Sequence, residues 1–93
     1  MILVRRLEYS PRFEADLERL RVYEGDPRLD AALYYLMHSP RLDKARDTGQ
    51  TADGLRVMAF RTTRFAEGPP LTVYFVPVTF MEHLRLVGAL CGS

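Results

Sequence analysis

The sequence predicts a single α+β domain of order β-α-α-β-β-β, a helical hairpin packed on one face of a four-stranded, mainly antiparallel sheet. Three observations lead there. Two proline-led helix starts, Ser10-Pro11 and Asp26-Pro27, stand a few residues apart; three strand-like runs follow at short spacing; and one strand-like run precedes them all. With 93 residues there is room for one core and not for two.

Taken in order, residues 2–9 read as a first strand, with Leu3, Leu7 and Tyr9 on one alternating face and Ile2 and Val4 on the other. Ser10 is a helix cap, and Pro11 suits the first helical position, where its missing N–H costs nothing. Phe13, Leu17 and Leu20 follow at helical spacing, while Arg12, Glu14, Asp16, Glu18, Arg19 and Arg21 are expected to face water. Gly25 is the expected C-terminal cap. Asp26 and Pro27 start a second helix on a stripe of Leu29, Leu33 and Leu36, and Ser39-Pro40 ends it. So short a link implies an antiparallel helical hairpin. Tyr34 and Tyr35 are adjacent on this helix, so only one of them can pack inward.

Residues 41–54 are polar and read as a surface loop. Residues 55–63 alternate as a strand, Glu67-Gly68-Pro69-Pro70 is a turn, and residues 71–78 form the most strand-like segment. A second turn at 79–82 leads to a last strand at 83–90. Turns this short make the three strands an antiparallel meander.

Composition narrows the function. The formal charge is only +1, so no global basic field marks the chain as a nucleic-acid binder, and any such role needs a local patch. The basic residues are twelve arginines and Lys44. Arginine favours bidentate contact with carboxylate or phosphate, although a GC-rich or hot-adapted genome gives the same bias. A single cysteine, Cys91, leaves no internal disulfide, and His38 and His83 lack metal-ligand spacing, so no metal is expected. No glycine-rich phosphate loop, paired-carboxylate site or nucleophile elbow is present, and no cofactor is expected. The start MILVRRLEYS lacks signal-peptide order, and the apolar segment 71–81 is broken by Thr72, Pro77 and Thr79. A cytoplasmic protein without membrane contact is expected.

The layout resembles the RelE/ParE superfamily of toxins from toxin–antitoxin pairs. The matching residues are the opening strand into Tyr9-Ser10-Pro11 with Phe13, Leu17 and Leu20; DPRLDAALYYLMHSP from Asp26 to Pro40; Gly54-Leu55-Arg56 through Arg61; Leu71-Thr72-Val73-Tyr74-Phe75-Val76; and His83 to Gly88. The resemblance implies a ribosome-associated mRNA endonuclease, with mRNA and ribosome as target and a cognate antitoxin as partner. In such chemistry the substrate's 2′-hydroxyl attacks, so the protein supplies a proton carrier and cations for the phosphorane. On that expectation Arg61, His83 and Arg85 are catalytic, with His83 the acid or base, and Lys44, Arg46, Arg56, Arg64 and Tyr74 contact RNA. His83 and Arg85 share a strand face about 7 Å apart. Arg61 has the opposite parity to Arg56 and Arg64, so the three cannot share a face of a regular strand.

Each of these residues has a plainer reading: arginines solvated on a sheet face, His83 ending a turn, and Lys44 and Arg46 in a solvated loop beside Asp43 and Asp47. Thr72 stands where many members of the superfamily carry arginine, and the chain runs out as Ala89-Leu90-Cys91-Gly92-Ser93 without a late basic residue or tyrosine. These differences keep open a non-catalytic protein-binding member of the same fold, of the gyrase-targeting kind, and a homodimeric module without nuclease activity.

Overall fold

The computed structural model describes residues 4–62, 68–79 and 82–92. Two helices, α1 (Pro11–Arg19) and α2 (Pro27–His38), pack on a mixed, mostly antiparallel sheet of β1 (Arg6–Tyr9), β2 (Arg46–Gln50), β3 (Arg56–Arg61), β4 (Leu71–Thr79) and β5 (His83–Cys91). The sheet order is β1-β5-β4-β3-β2; only the β1–β5 pair is parallel. No described helix is long and apolar enough to cross a membrane.

The fifth strand, β2, falls inside the segment expected to be a loop. Every residue of β2 is exposed, so it carries no apolar alternation to announce it. It forms because Asp53-Gly54 closes a tight turn, with Thr51 N–H donating to Leu55 O at 2.8 Å and Gly54 at φ +83°. Backbone pairing to β3 then needs no buried face, and the Thr48 hydroxyl adds a bond to Val57 O at 2.8 Å.

Both helix starts are as expected. Ser10 Oγ accepts the Phe13 N–H at 3.1 Å, and Asp26 Oδ1 accepts that of Arg28 at 2.9 Å. The first helix, however, stops at Arg19 and does not run on to Gly25. Leu20 is the C-cap, and Arg21 takes the left-handed conformation at φ +59°. The N–H groups of Arg21 and Val22 then close onto Glu18 O and Leu17 O, a Schellman ending with arginine where glycine is usual. Leu20 and Val22 thereby turn into the core without another helical turn.

Along β4, Leu71, Val73 and Phe75 face the helices and are fully buried; Leu84 and Leu86 of β5 join them. Val87 is an extra residue in β5, since Tyr74 pairs with Gly88 while Phe75 pairs with Leu86. The bulge resets the alternation, so Ala89 is buried with the core while Leu90 is half exposed on the other side. Phe13 enters this core from α1 and Leu36 from α2. Tyr35 is the tyrosine that turns inward, stacking on Phe60 with centroids 4.1 Å apart. Its neighbour Tyr34 is exposed against His38.

Candidate nucleic-acid interface

The side of the sheet turned away from α2 is open, and the strand register decides which residues meet there. Arg46 pairs with Ala59, Ala59 with Tyr74 and Tyr74 with Gly88; in the next row Arg61 pairs with Thr72 and Thr72 with Leu90. Directly paired residues share a face, so Arg46, Arg61 and Tyr74 come together from three strands. They line a hollow of about 220 Å³ with Thr72, Leu90 and the chain's last strand residue, Cys91. Neither Arg46 nor Arg61 forms an ion pair with a described residue. Among the described residues Arg61 makes only a long 3.5 Å contact to Gly92 O, and its side chain is exposed.

Tyr74 and Leu90 also border a second hollow of about 340 Å³, whose far wall is α1 with Arg12, Asp16 and Arg19. Asp16 was expected to face water and is instead buried. The reason lies in the lengths of the strands. β1 ends at Tyr9 opposite Leu86, so among the described strands the next stretch of β5 has no neighbour on that edge. Asp16 Oδ2 accepts the Ala89 N–H there at 3.0 Å. Its other oxygen lies 3.3 Å from Arg19 Nη2 and 3.7 Å from Arg12 Nε. The Ala89 N–H first, then the Arg19 guanidinium, hold this carboxyl below the usual aspartate range despite burial. Gly88 makes the approach feasible, since a Cβ there would stand 3.2 Å from Asp16 Oδ2.

Four arginines therefore flank Tyr74: Arg12 and Arg19 from the helix, Arg46 and Arg61 from the strands. From the sequence alone Arg12 and Arg19 are simply solvent-facing helix residues, and both are indeed exposed. What could have flagged them is Asp16 between them at i+4 and i−3, a spacing that draws both guanidinium groups to one point.

The remaining expected residues lie elsewhere. His83 and Arg85 share one face, but at the opposite end of the sheet, where Glu8 of β1 engages both. Arg85 Nε donates to Glu8 Oε2 at 2.8 Å, and His83 Nε2 lies 3.5 Å from the same oxygen. The Arg85 hydrogen bond holds Glu8 below the ordinary glutamate range. The strand partners of Arg61 and His83 are Thr72 and Thr79, so these two residues sit roughly 20 Å apart along the sheet. They cannot serve a single phosphate. Arg56 points to the opposite face from Arg61, as its parity required, and pairs with Asp47. Lys44 stays in the turn before β2, its N–H held by the Tyr35 hydroxyl at 2.7 Å. Arg64 lies outside the described residues.

Chemically, the assembled surface is a cationic floor with one aromatic ring at its centre. Arginine forks suit phosphate oxygens, and a tyrosine ring offers a stacking surface for a base. Besides the arginines, Asp16, Tyr74 and Cys91 are the titratable groups that line it. Among the described residues no cluster of His, Cys, Asp or Glu is suited to hold a metal ion. Comparison with known proteins returned no matching family model, no matching curated protein and no matching solved structure.

Proposed function

We propose that this chain is a toxin-type module of the RelE/ParE kind, which binds single-stranded mRNA on the ribosome through its open sheet face and cleaves it by way of the substrate's 2′-hydroxyl. The observation that carries the reading is the placement of Arg12, Arg19, Arg46 and Arg61 around Tyr74, in a chain of near-zero net charge. Local concentration of charge against a neutral background is what a phosphate-binding face requires. The order β-α-α-β-β-β-β with β1 parallel to β5 supports the same reading. On it, the 2′-oxygen attacks phosphorus as the P–O5′ bond breaks, water takes up the 2′-hydroxyl proton and supplies one to the departing 5′-oxygen, the arginines neutralise the phosphorane and Tyr74 stacks a base, in the cytoplasm, with an antitoxin as the restraining partner.

A second reading has its own support. His83, the expected proton carrier, is roughly 20 Å from Arg61 and tied to Glu8. A face that binds phosphate without an acid–base pair is a binding module and not a nuclease.

One experiment separates the two. Purified protein is incubated with programmed ribosomes, and the message is mapped by primer extension. Discrete cuts that vanish in folded Arg46→Ala and Arg61→Ala variants support the nuclease. An intact message that is nevertheless retained by the protein, with retention lost in the same variants, selects the binding module. Absence of both cuts and retention rejects the open face as an RNA site.

A further inference from the structure

On the helix side of the molecule a second surface shares no residue with the open face. The turn from α1 into α2 leaves a groove of about 440 Å³ between the two helices. Its floor is Phe13, Leu17, Val22, Leu29 and Leu33, and Tyr9 forms one wall, stacked on Phe13 with centroids 5.7 Å apart. The carboxylates of its lining are Glu14, Glu24 and Asp30, one from each helix and one from the link between them, and among the described residues no basic side chain lines it. All three are exposed.

We infer that this groove is a docking site for one amphipathic helix of a partner protein, carrying an apolar stripe flanked by lysine or arginine. Three considerations select that occupant. The acidic rim repels nucleic-acid phosphate and anionic lipid headgroups and attracts a cationic flank. Apart from Tyr9, at the end of the edge strand β1, the lining comes from the two helices and their link, so an extended peptide would find too little strand edge to pair with and would lose backbone hydrogen bonds that a helix satisfies internally. The walls are short: nine residues of α1 span roughly 13 Å, which two to three side chains of a helix at i, i+3 or i+4 and i+7 would cover. The site stands independently of what the open face binds.

The test uses the whole chain and two fluorescent helical peptides of about 18 residues. Both carry leucine at i, i+3 and i+7; one has lysine beside the stripe and the other glutamate. Anisotropy titrations at low salt are expected to show the lysine peptide binding at least about tenfold more tightly than the glutamate peptide. Glu24→Lys combined with Asp30→Asn should erase that preference, and Leu33→Asn should weaken the lysine peptide by at least about tenfold. Circular dichroism and thermal melts establish that both variants are folded. Equal binding of the two peptides, binding of neither, or a preference that survives the rim substitutions overturns the inference. So does a concentration-dependent dimer abolished by Leu33→Asn, which would assign the groove to a second copy.

Discussion

At the two ends of α2, the guanidinium groups of Arg5 and Arg28 direct their donors into the protein, whereas on the open face Arg46 and Arg61 turn theirs to solvent. Arg28 is buried and grips Asp26 through two parallel bonds, Nε to Oδ1 at 3.1 Å and Nη2 to Oδ2 at 2.9 Å. Its third nitrogen reaches Pro69 O at 3.0 Å, tying the start of α2 to the entry of β4. Arg5, also buried, donates to Leu36 O, Ser39 O and Pro40 O, the carbonyls that the end of α2 leaves open. The contrast teaches that arginine content alone says little about function. What separates a structural from a binding arginine is whether its fork is already filled.

The largest expected effect sits at the filled fork. Arg28→Ala leaves Asp26 as a poorly solvated carboxylate and frees Pro69 O, and should lower stability by about 3–5 kcal/mol in urea titrations. A loss below about 1 kcal/mol would remove the distinction between the two classes. Acid titration addresses the same pair. The Arg28 side chain first, then its own backbone N–H, hold Asp26 below the ordinary aspartate range. A depressed folded-state value means this stability is present above the unfolded value and disappears as pH falls through the folded one. Thermal melts should therefore decline on acidification below the ordinary carboxylate range, and Asp26→Asn should flatten that part of the decline.

At the open fork the signs reverse. Arg46→Ala and Arg61→Ala should each change stability by no more than about 0.5 kcal/mol. Each should also reduce the salt dependence of RNA binding by about one unit of log–log slope. A large stability loss with unchanged RNA binding would place these arginines with Arg28. The smallest effect concerns Arg21, an arginine held in a conformation better suited to glycine. Arg21→Gly should raise stability by up to about 1 kcal/mol, read as a shift in the urea midpoint with an unchanged slope.

How much of this was legible in the sequence depends on the distance over which each feature is decided. Ser10-Pro11 and Asp26-Pro27 act within three residues, and both helix starts fall where they were expected. The runs around Val57, Val73 and Leu86 declare themselves by their own alternation, and β3, β4 and β5 form there. Strand β2 did not, because an exposed edge needs no apolar face, although Asp53-Gly54 was its turn signal. The end of α1 was misplaced because a left-handed arginine, not Gly25, closes it. Asp16 was misread because its partner, Ala89, lies at the far end of the chain. Likewise the gap between Arg61 and His83 is a matter of strand register, which neither segment encodes alone.

The parallel pairing of β1 with β5 sets a schedule as well as a shape. Arg6 aligns with His83 and Tyr9 with Leu86, so β1 waits for β5, more than seventy residues on. The helices rest on local contacts, whereas α1 gains the Ala89 contact, and β1 its only neighbour among the described strands, when β5 arrives. During synthesis the nascent chain therefore lacks the row through Tyr74 and Gly88 and the seat for Asp16 that sets Arg12 and Arg19. The arginine face is therefore complete only once β5 has been made and has paired with β4.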